Sequence, residues 1–340
     1  MEAVATEEIV CLPPGLFAFT GQASFDAWTI GHALKEIGWS RYEYVMAHEQ
    51  GLVFQRIREL VDAFPTWQHR AGTGRPAFDE RDILLCLVVR QYMKVTFRGA
   101  ESFFRLVRRE LRLTRVPDAS TMSRKNASRR FLHLFRRFHD FVLATLPARK
   151  ATIATDATGF GRGKRPWRKT PFPYRAGREY VKANCAVEVP QRLILSPTLT
   201  PGRNFESGTF EKTWDNIPSN VIPTRSLADS AYSGQPCLEV ARRHGATPFH
   251  ALPKNARLVR WPKTERQKMV NFARHWPNRF KELTGPRAIV ETTFSNLKEL
   301  FGDRLRCRTA IGADNEVMAK TVALNIRIIL FRELIAGEAS

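Results

Sequence analysis

The hydrophobic pattern of the chain changes period once, near residue 148, and that change limits the possible folds more than any other feature. Before it, apolar residues recur at helical spacings. Residues 42–64 place Val45, Val53, Ile57 and Val61 along one helix. After Asp79, ERDILLCLVVRQYM (80–93) is apolar nearly all round and reads as a buried helix. Gly99 to Leu111 reads as a helix basic on one side, and Val116-Pro117-Asp118 as a turn. The next helix, capped by Ser120 or Thr121, carries Arg124, Lys125, Arg129 and Arg130. Residues 131–146 continue as an amphipathic helix through Phe131, Leu134, Phe135, Phe138, Phe141 and Val142.

Beyond residue 148 the apolar runs are shorter and bounded by turn residues. ATIATDATG (151–159) reads as a strand ending in Asp156, followed by strands over EYVKANCAVEV and RLILSPTLT with Pro190-Gln191 between them. Ser207 to Ile217 is helical, and RSLADSAYSG (225–234) is a short strand that breaks at Asp229. A helix from Gly234 to His244 and a strand over TPFHALP follow. Residues 254–284 are basic and polar without a clear period, and helices over Pro286 to Phe301 and Asp314 to Ile335 close the chain. The expectation is an α/β fold with a mixed sheet and flanking helices, preceded by an all-α region. Its segments are a helical and irregular N-terminal arm (1–73), a helical region with helix-turn-helix grammar (74–147) and a strand-containing domain (148–340).

Charge is distributed as unevenly as structure. Residues 1–85 carry 7 Lys/Arg against 12 Asp/Glu, residues 86–180 carry 23 against 6, and residues 181–340 carry 24 against 15. A basic footprint confined to the middle of a chain with net charge +21 points to a polyanionic partner, of which a nucleic-acid backbone is the commonest. Two parts of that footprint stand out. One is the helix-turn-helix-like segment with Arg124, Lys125, Arg129 and Arg130, whose last helix would enter a major groove. The other is RGKRPWRKTPFPYRAGR (162–178), which has seven Lys/Arg, no acid and interleaved Trp167, Phe172 and Tyr174. Its Lys164, Arg165, Arg168 and Lys169 are candidate backbone contacts beside rings that can stack on unpaired bases. A solvated basic face and a flexible hairpin tip are the plainer readings of the two.

Other classes fit poorly. The five cysteines, Cys11, Cys86, Cys185, Cys237 and Cys307, are widely spaced, which is the pattern of neither a zinc finger nor a redox pair and suits a reducing cytoplasm. MEAVATEEIV has acids where a signal peptide has bases, and no apolar run approaches a membrane span. HExxH, P-loop and GxSxG patterns do not occur.

What remains as catalytic material is acidic: Asp156 and Asp229 at strand ends and Glu291 on a helix. Sheet backbones fix strand-end carboxylates rigidly. Three carboxylates from separate elements can hold Mg²⁺ ions, and a pair of ions can activate one oxygen while stabilising another. Taken singly, Asp156 and Asp229 read equally well as turn formers, and Glu291 as a solvated helix residue. Arg287 and Lys298, four residues before Glu291 and seven after it, share its helix face and would sit beside a phosphodiester backbone.

At this point the residues resemble a known family. R-x3-E-x6-K at Arg287, Glu291 and Lys298 is similar to the signature around the last acid of insertion-sequence DDE transposases of bacteria and archaea. LADSAYSG (227–234) resembles that family's second-acid motif and TIATDATG its first. GRPAFDERDILLCLVVRQYM and RVPDASTMSRK resemble the helical segment ahead of the catalytic domain. The signature often begins with Tyr three residues before the Arg; here that residue is Thr284.

The resemblance implies a ribonuclease H-like core with Asp156, Asp229 and Glu291 as catalytic metal ligands for two Mg²⁺ ions, with Mn²⁺ able to substitute. It further implies double-stranded DNA partners (terminal inverted repeats and target DNA), an end-paired homodimer, and a cytoplasmic, nucleoid-associated location. The chemistry would be cleavage at transposon ends to free a 3′-OH, then transfer of that 3′-OH into target DNA. The segment between Asp229 and Glu291 has no long insertion, so a hairpin mechanism is not implied. Competing readings are a ribonuclease H-like nuclease that cuts without joining, and a catalytically silent or repurposed DNA-binding protein.

Overall fold

A computed structural model describes residues 39–65, 77–162, 180–202, 204–307 and 309–336. The helical half contains α1 (Trp39–Ala63), α2 (Glu80–Tyr92), α3 (Phe97–Leu106), α4 (Ala119–Asn126) and α5 (Arg129–Ala144). The sheet half runs β1 (Arg149–Arg162), β2 (Tyr180–Glu188), β3 (Leu193–Pro201), α6 (Phe210–Asp215), β4 (Val221–Ala228), α7 (Gln235–Arg243) and β5 (Thr247–His250). It closes with α8 (Glu265–His275), α9 (Pro277–Thr284), α10 (Ala288–Phe301), β6 (Arg304–Leu305) and α11 (Ala310–Ala336).

The strands form one sheet in the order β3-β2-β1-β4-β5, with the two-residue β6 also pairing to β1. β1, β2 and β3 are antiparallel hairpin neighbours, whereas β4 and β5 join parallel to β1 after helical crossovers. This is the ribonuclease H-like arrangement that the resemblance led us to expect: a mixed sheet flanked by helices, preceded by a helical region.

Each strand type matches its position. Central β1 and β2 are buried along most of their length, as the apolar runs TIAT and NCAV require. Helix α2 is buried nearly all round, with Ile83, Leu84, Leu85, Leu87, Val88 and Val89 fully covered. Each contributes roughly 1.5–3 kcal/mol of transfer free energy. Both acids of its first turn are buried and paired: Glu80 with Arg130 of α5 at 2.8 Å, and Asp82 with Arg58 of α1 at 2.8 Å and the Thr114 hydroxyl at 2.7 Å.

The long α11 packs on α1, α2, α5 and β3 and joins the two halves. Two of its asparagines act on backbone that the ladders leave open. Asn325 accepts from Ile194 N–H at 3.0 Å and donates to its carbonyl at 2.8 Å, beside the point where the β2–β3 register slips. Asn315 donates to the Asn126 and Ser128 carbonyls at the α4–α5 junction.

Three local expectations are corrected. Arg124, Lys125, Arg129 and Arg130 do not share a helix: α4 stops at Asn126 and Ser128 caps a new helix by accepting from Phe131 N–H, so Arg129 and Arg130 open α5. The cap of α4 is Asp118, not Ser120 or Thr121; its carboxylate takes Thr121 N–H at 2.7 Å and both nearby hydroxyls. The polar stretch 254–284 is largely helical, and Thr264 and Gln267 form a capping box at the start of α8.

Candidate metal centre

β1 and β4 pair from Arg149↔Val221 to Thr155↔Ala228, and the ladder stops there. Asp156 and Asp229 are the next residues on the two chains, so the point where the parallel strands part sets two carboxylates side by side. Asp156 is mid-strand rather than at a strand end, because the β2 ladder holds β1 as far as Gly161↔Tyr180. Asp229 leaves its strand at once. Its Oδ1 accepts from Ala231 N–H at 2.9 Å and opens the 3₁₀ turn Ser230–Tyr232.

A third carboxylate joins them. Glu206 lies between β3 and α6, and ligand oxygens of Asp156, Glu206 and Asp229 all fall within 4.8 Å of one another. Lys182 on β2 fixes this segment, donating to the Asn204 carbonyl and to Glu206 Oε1, both at 3.1 Å.

Rings and a histidine support the cluster. Phe210 stacks on Trp214, whose Nε1 donates to the hydroxyl of Thr155, the neighbour of Asp156, at 3.0 Å. Phe210 also packs on Tyr232, which is fully buried. His250 holds the Tyr232 turn. Nδ1 is 2.8 Å from the Tyr232 carbonyl, which can only accept, so Nδ1 carries the proton; Nε2 then accepts from the Ser226 hydroxyl at 2.7 Å. Burial lowers the His250 imidazole to about 4, so it stays neutral and is committed to this turn.

Negative charge is crowded at the cluster. Burial raises the Asp156 carboxyl to about 6; repulsion from Asp229 and Glu206 adds to this, against the Ala157 N–H and the Arg287 guanidinium. Asp229 is also raised, by burial first and then by Glu206, with the Ala231 N–H and Arg287 opposing. The Tyr232 hydroxyl is pushed up by burial and by Glu206, Asp156 and Asp229, yet it has no hydrogen-bond partner among the described residues. A buried polar group left unpaired costs about 1–3 kcal/mol. Crowded oxygen donors beside an orphaned hydroxyl fit a hard divalent cation such as Mg²⁺, and a bound cation would reverse the upward shifts.

Glu291 is not in this group. It stands in the first turn of α10 with a side chain 60% exposed, 3.1 Å from Arg287 Nη2. Arg287 acts on both Asp156 and Asp229, so it links the exposed acid to the buried pair. Lys298 faces the sheet, with Nζ 5.7 Å from the centroid of Phe160 on β1.

In the helical half, Arg124 and Arg129 are exposed, Lys125 leans 5.8 Å over the Phe131 ring, and Arg130 pairs with buried Glu80 at 2.8 Å. Lys164, Arg165, Arg168 and Lys169 lie outside the described residues, as do residues 1–38.

Glu206 was not singled out from the sequence. RNFESGTFE offers no motif, and nothing there marks one acid above the other. Only the β2–β3 hairpin, which sets Lys182 opposite Thr200, carries the segment back over the β1–β4 junction.

Carboxylates gathered where two central parallel strands part define this as a ribonuclease H-like core with a candidate divalent-metal centre. Within it, residues 147–326 match the model of the transposase DDE domain family, which is more than half of the chain. The chain belongs to that family. Transposition, DNA recombination and divalent-metal use are general to the family, and the described residues contain no helix long and apolar enough to cross a membrane.

Proposed function

We propose that this protein cuts DNA at the ends of its own mobile element and joins the freed 3′-OH to target DNA, using Asp156, Asp229 and Glu291 as its essential acids. The observation that carries this reading is the meeting of Asp156 and Asp229 at the end of the β1–β4 ladder, inside the segment that matches the family. Divalent cations bound there would supply charge stabilisation for the attacking and leaving oxygens. The residues have separate tasks. Asp156 and Asp229 provide rigid anionic donors from the sheet. Glu291 approaches from α10, where its exposure leaves the side chain free to turn inward without losing packing. Arg287 and Lys298 are donors only; they hold phosphate oxygens and ligate no cation. Arg124, Lys125 and Arg129 provide a surface for the element ends. Arg130 is proposed with them, its Glu80 pair being exchanged for phosphate. Lys164, Arg165, Arg168 and Lys169 are proposed to grip distorted or target DNA. Two chains would pair two ends, and the reaction would take place on the chromosome.

The test is cleavage and joining with duplexes bearing the inverted repeats that flank the reading frame. Asp156→Ala, Asp229→Ala and Glu291→Ala are each expected to abolish both reactions in Mg²⁺ while end binding persists. A variant that cuts at the parental rate removes that acid from the site. Cutting by the parent without joining identifies a nuclease, and binding without cutting a repurposed DNA-binding protein.

A further inference from the structure

The acids assigned so far leave the third member of the half-buried cluster without a role. Glu206 is not a free surface acid. Its segment is fixed at two points by Lys182, and its carboxylate reaches the same 4.8 Å cluster as Asp156 and Asp229. On an octahedral Mg²⁺ with ligands at about 2.1 Å, adjacent oxygens stand about 3.0 Å apart and opposite ones about 4.2 Å, so side-chain rotations of up to about 1.8 Å per pair close the cluster on an ion. A second, independent feature points the same way. Tyr232 is fully buried, its ring is clamped by Phe210 and its backbone by His250, and its hydroxyl is unpaired among the described residues. Tyr232 N–H donates to the Asp229 carbonyl at 3.2 Å, and its ring packs 5.5 Å from that of Phe210, four residues after Glu206, so the side chain is anchored at the cluster. A buried donor anchored there without a partner is placed for a water shared with the acids.

We propose that Glu206 is a fourth carboxylate of the metal centre, binding the cation with Asp156 and Asp229 in the DNA-free chain, and that the Tyr232 hydroxyl donates to a water held against those carboxylates. The inference rests on the metal-centre reading above and adds to it. Glu291 is outside the cluster, so the three half-buried acids form the site for one ion in the DNA-free chain. Glu291 then adds donors for a second ion when a DNA end arrives. Lys182 pairs with one Glu206 oxygen and leaves the second for the ion, so it competes with the ion for the same negative charge.

The experiment measures Mn²⁺ binding to the full chain without DNA, by electron paramagnetic resonance of free Mn²⁺, so it does not depend on activity. Glu206→Gln keeps the shape and removes the charge; it is expected to weaken Mn²⁺ by more than about tenfold. Tyr232→Phe removes only the hydroxyl and is expected to weaken it about threefold to tenfold, as loss of an outer hydrogen bond does. Lys182→Gln is expected to bind Mn²⁺ at least as tightly as the parent, because a competing cation is gone. If Glu206 serves only to pair with Lys182, the Lys182 and Glu206 variants will bind Mn²⁺ alike, and the proposal falls. Asp156→Asn separates the two readings. If it abolishes binding while Glu206→Gln binds as the parent does, only the fourth-ligand proposal is overturned. If neither variant changes binding, the metal-centre reading fails with it. Thermal melts of each variant at matched pH show that all are folded; should Glu206→Gln melt early, Glu206→Asp, which keeps the charge and shortens the reach, must show the same weakening.

Discussion

At the scale of single residues, the Asp156 carboxylate opposes the fold that holds it. Its folded-state value near 6 lies above the ordinary 3.8, so the folded chain holds a proton that the unfolded chain releases. The sign follows from that difference. Asp156 leaves stability undiminished below about pH 4, and the penalty grows as pH rises through 6, reaching on the order of 2–3 kcal/mol in the metal-free protein. Asp156→Asn should therefore melt higher than the parent at pH 8 without metal, and close to it at pH 4. His250 contributes with the opposite sign, because its lowered imidazole favours the fold as pH rises past 4 to 6.5, but it is common to both chains and cancels in the difference. Adding Mg²⁺ at pH 8 should raise the melting point of the parent and leave the Asn variant where it was, since only the parent offers the full acidic site. A differential scanning calorimetry series over pH, with and without Mg²⁺, checks both signs. An Asn variant less stable than the parent at pH 8 would mean that Asp156 is a structural acid.

Among the elements, α4 is the one whose function turns on its start. Eight residues make a marginal helix, and Asp118 holds its first turn through one N–H and two hydroxyls. Those bonds keep the Asp118 carboxyl low, near 2, so the cap persists throughout the working pH range. Asp118→Ala should cost about 1 kcal/mol of stability and weaken binding to element ends through Arg124 and Lys125. Separately, neutralising Arg124 and Arg129 should each flatten the log–log dependence of end affinity on salt by about one unit if each meets a phosphate. Unchanged slopes would leave both as solvated side chains. How far such elements are legible in sequence depends on the range of the forces that make them. Helix α2 was plain, because its apolar run needs no partner to be recognised, and so were the strands of Asp156 and Asp229. Helices α8 and α9 were not, since a polar surface helix has a weak period; the Thr264–Gln267 box was the local signal that marked the first of them. The split between α4 and α5 depended on Ser128 outcompeting continuation of the helix, and that choice is reinforced by Asn315, which is far away in sequence. Glu206 entered the site only through strand pairing, a long-range property that no motif of its own encodes.

For the whole molecule, the change of period at residue 148 divides two kinds of secondary structure without dividing the core. Buried residues of α1, α2 and α5 belong to one continuous apolar cluster with those of β1, β2, β3 and α11. The polar seams cross the same line. Asn315 satisfies carbonyls at the α4–α5 junction, Asn126 donates to the Gly312 carbonyl at 3.1 Å, and Arg56 of α1 grips Glu333 of α11 at 2.6 Å. Buried Arg327 on α11 does the same with Glu49 of α1 at 2.6 Å, so the last helix is bonded to the first as well as packed against it. Separating the halves would expose the apolar faces of α2 and α5 and leave buried carbonyls and charges without partners, each loss larger than a short helical segment can offset. A fragment of residues 74–147 should therefore fail to fold as an independent DNA-binding unit, and the full chain should unfold in one transition with both halves lost together. Asn325→Ala should shift that single transition downward by about 1–3 kcal/mol, because it strands the N–H of Ile194 in the core, while His139 Nε2 stays 2.9 Å from the Ile194 carbonyl. Fluorescence of Trp214 in the sheet half, with the other six tryptophans replaced by Phe, and far-ultraviolet circular dichroism, dominated by the helices, should give the same denaturant midpoint with and without the Asn325 substitution. Two separated midpoints in the parent, or a fragment that melts cooperatively alone, would show instead that the DNA-binding helices and the catalytic sheet are stable apart.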